Sequence, residues 1–361
     1  MSDFTVDSDI RRAWTLPSAF YFDASVFEAA KERIFARSWQ WITDDSAIKA
    51  PGQLHPFILL EGCLDEPLFF SRDEKDNVHC LSNVCTHRGM ALVEGACNER
   101  LIRCRYHGRR FGLDGRFQSM PEFEGVEGFP SERDDLSKIP WAAWGPHLFV
   151  SLSPCAPLEE VLKPMVDRVG WLPLREFAYD PGRSRDYLVK ANWALYVDNY
   201  LEGFHIPYIH SSLNETLDYG DYKVELFPYG TLQLGIGKGG EQSFDLPPDS
   251  PDAGKIVSAY YYWIFPNLMF NFYPWGLSIN VVRPLAPDLT KVSFIAYVWD
   301  EKKIESGAGA ALDRVEREDE AVVELVQRGA RSRFYDRGRY SPKREDGVHR
   351  FHSLIARFMN G

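Results

Sequence analysis

The chain has 361 residues, a formal net charge of -11, and 45% hydrophobic and 26% charged residues, the balance of a globular protein with room for two domains. No basic run interleaved with aromatics is present, which excludes nucleic acid as a partner, and no window approaches the ~20 apolar residues of a membrane span. The start MSDFTVDSDIRRAW is acidic and lacks an apolar signal segment, so a soluble, cytoplasmic chain is expected.

In chain order, the first expected element is a helix over 25–42, where Phe27, Ala30, Ile34, Phe35 and Trp39 recur at helical spacing behind Ser25 as cap. Between about 45 and 155 the pattern changes to short alternating runs such as HPFILLEG, PLFFSRDE and HLFVSLSP, broken by Gly, Pro and Asp, which predicts a small all-β unit. A helix at 158–170 follows, then strands near 185–193, a polar, histidine-bearing segment at 199–212, and β runs at 222–236, 257–273, 277–284 and 291–299. A helical block over about 308–330 closes this part, so the class is α+β, with a helix packed on a curved antiparallel sheet. The literal G-x-G-x-x-G from Gly235 to Gly240 is not a dinucleotide site, because a Pro-rich loop follows it where a helix is required.

Four of the six cysteines, at 63, 80, 97 and 155, have no histidine beside them and read as buried or partly buried free thiols. The other two belong to matched clusters, Cys85-Thr86-His87 and Cys104-Arg105-Tyr106-His107, each followed by glycine (Gly89, and Gly108 with Gly112). A structural zinc site is the rival reading, but zinc fingers pair Cys with Cys and His with His. Here each arm carries one of each, as in a Rieske [2Fe–2S] centre, where two thiolates hold one iron and two imidazoles the other. The glycines let backbone N–H groups approach bridging sulfides.

A second constellation lies in VDNYLEGFHIPYIH, which brings Glu202, His205 and His210 close in sequence, with Pro207 bending the chain between the histidines. Two imidazoles and a carboxylate make the facial triad of non-haem Fe(II), leaving positions open to O2. The carboxylate is either Glu202 or one from ALDRVEREDEAVVELVQRG, whose apolar stripe runs Leu312, Val315, Val322, Val323, Val326. Asp319 falls within roughly 40° of that stripe's centre, whereas Glu316 and Glu320 point away. An acid on the core face needs a partner, either a metal or an arginine such as Arg317 or Arg328.

Taken together, these residues resemble the α subunit of Rieske non-haem iron oxygenases, the aromatic-ring-hydroxylating oxygenase family. VDNYLEGFHIPYIH and the tail EDEAVVELVQRGARSRFYDRGRYS look most like its choline, glycine-betaine and carnitine monooxygenase branch. High-potential respiratory Rieske proteins carry two extra cysteines where this chain has Met90 and Tyr106, which places the cluster with the oxygenase or ferredoxin kind. The resemblance implies an all-β Rieske domain and a helix-grip (START/Bet v 1-like) catalytic domain with a long C-terminal helix. The corresponding segments are 1–44, helical and packed on the catalytic domain, 45–155 for the Rieske domain and 156–361 for the catalytic domain. It also implies that Cys85, His87, Cys104 and His107 hold the cluster, that His205, His210 and Asp319 hold the mononuclear iron, and that Glu202 links a neighbouring subunit's cluster histidine to the iron histidine. Family members usually have Asp at that place, and Glu resembles the carnitine-type variant. Head-to-tail homotrimers are implied as well, because the two metals of one subunit lie too far apart for electron transfer.

The resemblance also implies that electrons come from NAD(P)H through a separate flavin-containing reductase, directly or through a ferredoxin, and no dinucleotide fingerprint in this chain stands against that expectation. O2 is the implied co-substrate, and hydroxylation of an N-methyl carbon would collapse to formaldehyde and a demethylated amine. The run YYYWIFPNLMFNFYPWG supplies pocket candidates in Trp263, Phe265, Phe270, Phe272 and Trp275, which suit a quaternary ammonium held by cation–π attraction, a stacked aromatic acid, or simply a sheet core. Two readings of another class stand beside the oxygenase, a Rieske electron carrier with a non-catalytic ligand-binding domain and a structural zinc protein. Metal content separates the three.

Overall fold

The computed structural model describes residues 4–209, 224–237, 242–304 and 312–361. His210, part of the 237–254 loop and the first residues of the expected 308–330 helix lie outside the described residues. Two compact units are present, residues 36–155 and residues 1–35 with 156–361.

The 36–155 unit is built from β1 (Gln40–Asp44), β2 (Gln53–Leu59), β3 (Glu66–Arg72), β4 (Val78–Ser82), β5 (Cys97–Asn98), β6 (Ile102–Arg103), β7 (Arg110–Phe111), β8 (Phe117–Ser119), β9 (Trp141–Trp144) and β10 (His147–Val150). They form sheets of order β1-β10-β9, β4-β3-β2-β5 and β6-β7-β8. Strand β3 shows why the unit coheres. Its alternation sends Leu68 and Phe70 into one core with Ile48, Cys80 and Val150, and Phe69 into another with Leu81, Cys85, Cys104 and Phe111. Cys97 is exposed, against expectation, because β5 is a two-residue edge.

The expected helix over 25–42 is shorter. It runs Ala24–Ala30 (α1), passes into a π-turn at Lys31–Phe35, and is capped by Asp23, whose carboxylate accepts the Ser25 and Val26 amides. Residues Gln40–Asp44 are a strand pairing with β10, so the break between units falls at 35 instead of 44.

The second unit holds a seven-stranded antiparallel sheet of order β11-β17-β16-β15-β14-β13-β12, comprising β11 (Ala178–Val189), β12 (Val224–Phe227), β13 (Gly230–Ile236), β14 (Val257–Ile264), β15 (Leu268–Tyr273), β16 (Gly276–Ala286) and β17 (Leu289–Val298). Its helices are α2 (Leu158–Val169), α3 (Trp193–Tyr200), α4 (Leu312–Ala330) and α5 (Asp346–Asn360), with one further helical turn at Ile206–Ile209. The run expected as one strand over 257–273 is two, split at Phe265-Pro266-Asn267, where Pro266 has no ladder donor to offer.

Two helices here were not expected. Residues 193–200 fall between the strands expected near 185–193 and the polar segment at 199–212, yet Asn192 caps a helix there by accepting the Ala194 amide at 3.0 Å. Trp193 then packs edge-on against Phe35, Phe20 and Phe351. Helix α5 buries Val348, Phe351, Leu354, Ile355 and Phe358 on one face, against Trp263 and Phe265 of the sheet. Its start is admitted by Gly347, where a Cβ would stand 2.5 Å from the Leu201 carbonyl oxygen at the end of α3. Gly347→Ala is therefore expected to cost about 1–3 kcal/mol by overpacking, read in calorimetry as a Tm lower by about 2–4 °C per kcal/mol. No described helix is long and apolar enough to cross a membrane.

Candidate metal centres

The two cysteine–histidine arms fold into near-identical knuckles. The Cys85 amide donates to the Met90 carbonyl at 2.8 Å and the Gly89 amide returns to the Cys85 carbonyl at 2.9 Å; the Cys104 amide donates to the Arg109 carbonyl at 2.8 Å and the Gly108 amide to the Cys104 carbonyl at 3.0 Å. Closing each knuckle needs a left-handed residue, supplied by Gly89 (φ +74°) and Gly108 (φ +76°). Both thiols are free and buried. The His87 and His107 rings meet edge to face with centroids 4.8 Å apart, and Tyr106 stacks on His107 at 3.7 Å.

Among the described residues no three such donors surround one point; they stand as pairs, thiol with thiol and imidazole with imidazole. Burial, aided by the facing Cys104 thiol, pushes the Cys85 thiol up. Burial and the neighbouring His107 push the His87 imidazole down, towards its neutral, ligating form. The buried His87 Nδ1 has no hydrogen-bond partner. A thiol pair, an imidazole pair and an orphaned ring nitrogen fit a two-iron cluster that takes one pair on each iron better than a zinc ion that needs all four at one centre.

The second centre starts where α3 ends. The Glu202 carboxylate accepts the amides of Phe204 and His205 and holds His205 Nδ1 at 2.7 Å. A carboxylate on Nδ1 makes that nitrogen the donor and leaves the lone pair on Nε2, the form in which an imidazole binds a metal. His205 Nε2 stands 3.5 Å from Asp319 Oδ1, a separation that two donors to one ion can have. Glu202 and His205 lie between helices rather than along one, so their contact is a turn contact, not a shared helix face.

Asp319 is aimed by a grip between α3 and α4. Tyr196 donates to both Glu316 carboxylate oxygens at 2.9 and 2.8 Å, and Asn199 Nδ2 donates to Asp319 Oδ1 at 2.8 Å. Residues three apart on one helix thus hold residues three apart on the other. Glu316, expected to point away, is 5% exposed. The helix is rotated so that Glu316, Val323, Gln327 and Ala330 face inward while Leu325 and Val326 are exposed. Polar groups are tolerated there because they are satisfied, Gln327 by the Asn192 amide and the Tyr21 carbonyl. The Tyr196 hydroxyl is pushed well up by burial and by Glu316. Tyr196→Phe, which deprives a buried carboxylate of this donor, is expected to cost about 1–3 kcal/mol in a denaturant titration. Neither Tyr196 nor Asn199 was singled out from the sequence, although their spacing before Glu202 is the available signal.

The sheet face turned to α3 is identified by Tyr200, whose hydroxyl donates to Asn271 Oδ1 at 2.6 Å and whose carbonyl accepts Gln233 Nε2 at 2.8 Å. Gln233, Tyr261, Asn271, Ser278 and Ala296 are in register across five strands and so share that face. Of the pocket candidates, Trp263 shares it but packs on Phe351, and Phe265 packs on Phe358. Trp275 lies nearly parallel to Tyr273 at 5.1 Å, in a buried cluster with Tyr261. Phe270 and Phe272 lie elsewhere. They register with Tyr262 and Tyr260 on the opposite face, where Tyr260 meets Phe244 and Asp252. Strand parity decides this, and Asn271, the polar residue between the two, was the signal in the sequence.

Residues 38–130 match the Rieske [2Fe-2S] domain family and residues 171–361 the ring hydroxylating alpha subunit (catalytic domain) family. The choline monooxygenase, chloroplastic, of Arabidopsis thaliana is 30% identical over 375 residues, covering 98% of this chain and 85% of the relative. The carnitine monooxygenase oxygenase subunit of Escherichia coli K12 is 28% identical over 362 residues, 96% of this chain and 94% of that one. Among solved structures, a quaternary ammonium Rieske monooxygenase superposes with TM-score 0.77 at 25% identity, covering 98% of this chain and 100% of its own. Naphthalene 1,2-dioxygenase from Rhodococcus sp. superposes with TM-score 0.73 at 21% identity over 96% and 94% of the two chains, which shows a common fold. The chain belongs to the ring-hydroxylating oxygenase α subunits, oxidoreductases in which a Rieske [2Fe–2S] domain is joined to a catalytic domain that binds a mononuclear iron.

Proposed function

We propose that this chain is the terminal oxygenase of a system that hydroxylates a small N-methylated or quaternary ammonium compound, leading to oxidation or N-demethylation. Cys85, His87, Cys104 and His107 hold the cluster; His205, His210 and Asp319 hold the mononuclear iron. When bound, that iron supplies dioxygen activation. The chain's own residues orient it. Glu202 keeps the proton on His205 Nδ1, Asn199 fixes one oxygen of Asp319, and the Tyr196–Glu316 bond sets the distance between their helices. Glu202 also serves as the link to a neighbouring subunit's cluster histidine in a cytoplasmic homotrimer, and a flavin-containing NAD(P)H reductase is the electron donor.

The observation that carries the substrate class is the aromatic group on the sheet face beside α3, Tyr261, Tyr273 and Trp275, read together with choline and carnitine monooxygenases among the relatives. A phenol is neutral near pH 7, and burial pushes the Tyr261 hydroxyl further up, to about 12. Ring faces attract a cation that cannot donate a hydrogen bond, at about 0.5–2 kcal/mol each.

Product analysis under 18O2 with a panel of quaternary amines and aromatic acids tests the reading. Label in formaldehyde or in an oxidised N-alkyl carbon supports it; label on an arene ring overturns it. Trp275→Leu is expected to raise KM for the active ammonium substrate by about 2- to 30-fold, with little change for an isostere carrying carbon in place of nitrogen. An equal rise for both would mean that Trp275 contributes shape only.

A further inference from the structure

In the 36–155 unit the Arg109 side chain is 2% exposed, a depth that charged side chains reach only when paired. It directly follows His107 and Gly108, and its carbonyl already accepts the Cys104 amide. The guanidinium sits in a cage of rings, 4.9 Å from the centroid of Phe117, 5.5 Å from Phe129 and 5.7 Å from Phe111. Its Nη2 donates to Asp134 Oδ1 at 2.5 Å and to the Asp134 carbonyl at 3.3 Å. The same carbonyl accepts the hydroxyl of Thr86, which lies between Cys85 and His87, at 2.9 Å. Asp134 is itself held by the capping box with Ser131. One residue therefore ties together both ligand-bearing knuckles, and a buried cation stands beside the second.

We infer that Arg109 and Asp134 are positioning residues that set the reduction potential of the cluster, the guanidinium favouring the reduced form and the carboxylate opposing it. The inference rests on the cluster assignment made above. On reduction the cluster takes up one electron from the reductase, with no bond made or broken. The added negative charge is stabilised by a nearby fixed cation, and a dry aromatic surround screens that attraction far less than water does.

The test is a spectroelectrochemical titration of the purified, cluster-loaded protein and three variants, with iron and sulfide measured alongside. Arg109→Gln is expected to lower the midpoint potential by about 59 mV, a tenfold change in a one-electron equilibrium. Asp134→Asn is expected to raise it by a similar amount, and the double variant to lie between. Shifts of opposite sign are what a purely structural role cannot produce. If Arg109→Gln fails to retain the cluster, Asp134→Asn decides alone, since it leaves the cation in place. A midpoint unchanged or lowered in Asp134→Asn overturns the inference. Wild-type protein without iron and sulfide overturns the cluster assignment instead.

Discussion

Replacing His205 by alanine is expected to abolish substrate-dependent O2 uptake while leaving the iron–sulfur absorption of the protein unchanged. The imidazole is held between the Glu202 carboxylate at 2.7 Å and the Asp319 carboxylate at 3.5 Å, so its removal takes a donor from the proposed ligand set. A facial triad reduced to two ligands loses its grip on Fe(II). Iron content should fall from about three to about two per chain, the remainder being the cluster. A milder variant separates holding from orienting. Glu202→Gln keeps the donor but weakens the contact that fixes its tautomer, with an expected 10- to 100-fold loss of activity or iron affinity. Persistent uptake in His205→Ala, with about three irons still bound, would place the second site elsewhere.

Cys104→Ser should produce the converse. Cys104 is 2% exposed, in a core shared with Cys85, Ile102 and Phe111, and serine offers a hard, poorly ionised oxygen where iron–sulfur chemistry requires a soft thiolate. The visible absorption should disappear and iron should fall to about one per chain. Turnover with the reductase should cease, because electrons no longer have an entry point. Elemental analysis and visible spectroscopy on the two variants, run together, test whether the chain holds two separable centres. Simultaneous loss of all iron in either one would count against that.

Much of the proposed cluster site was legible along the chain because it is local. Each arm is a knuckle of five or six residues whose ligands, glycine and backbone hydrogen bonds are near neighbours, so spacing alone carries the geometry. The same holds for Glu202 and His205, three residues apart. The rest was harder to see. The helix at Trp193–Tyr200 was masked by aromatic side chains that favour strands until a helical cap and long-range packing override them. The rotation of α4 was misjudged because its stripe was drawn through valines, whereas Glu316 and Gln327 occupy the inward face. A hydrophobic count cannot register a buried polar group whose partner lies 120 positions away in the chain, as Tyr196 does from Glu316.

The amino-acid order alone thus carries the argument for the chemistry of the two proposed centres, since donor type and short spacing are properties of a few consecutive residues. Folding in three dimensions decides which acid reaches His205 and which aromatic residues share the sheet face turned to α3. Asp319 reaches His205 because α3 and α4 lock through Tyr196–Glu316 and Asn199–Asp319. Tyr261 and Tyr273, rather than Phe270 and Phe272, look towards α3 because the parity of β15 is set by its pairing with β14 and β16. A shift of one residue in that register exchanges the two faces entirely, and what holds the register is the packing of the whole sheet.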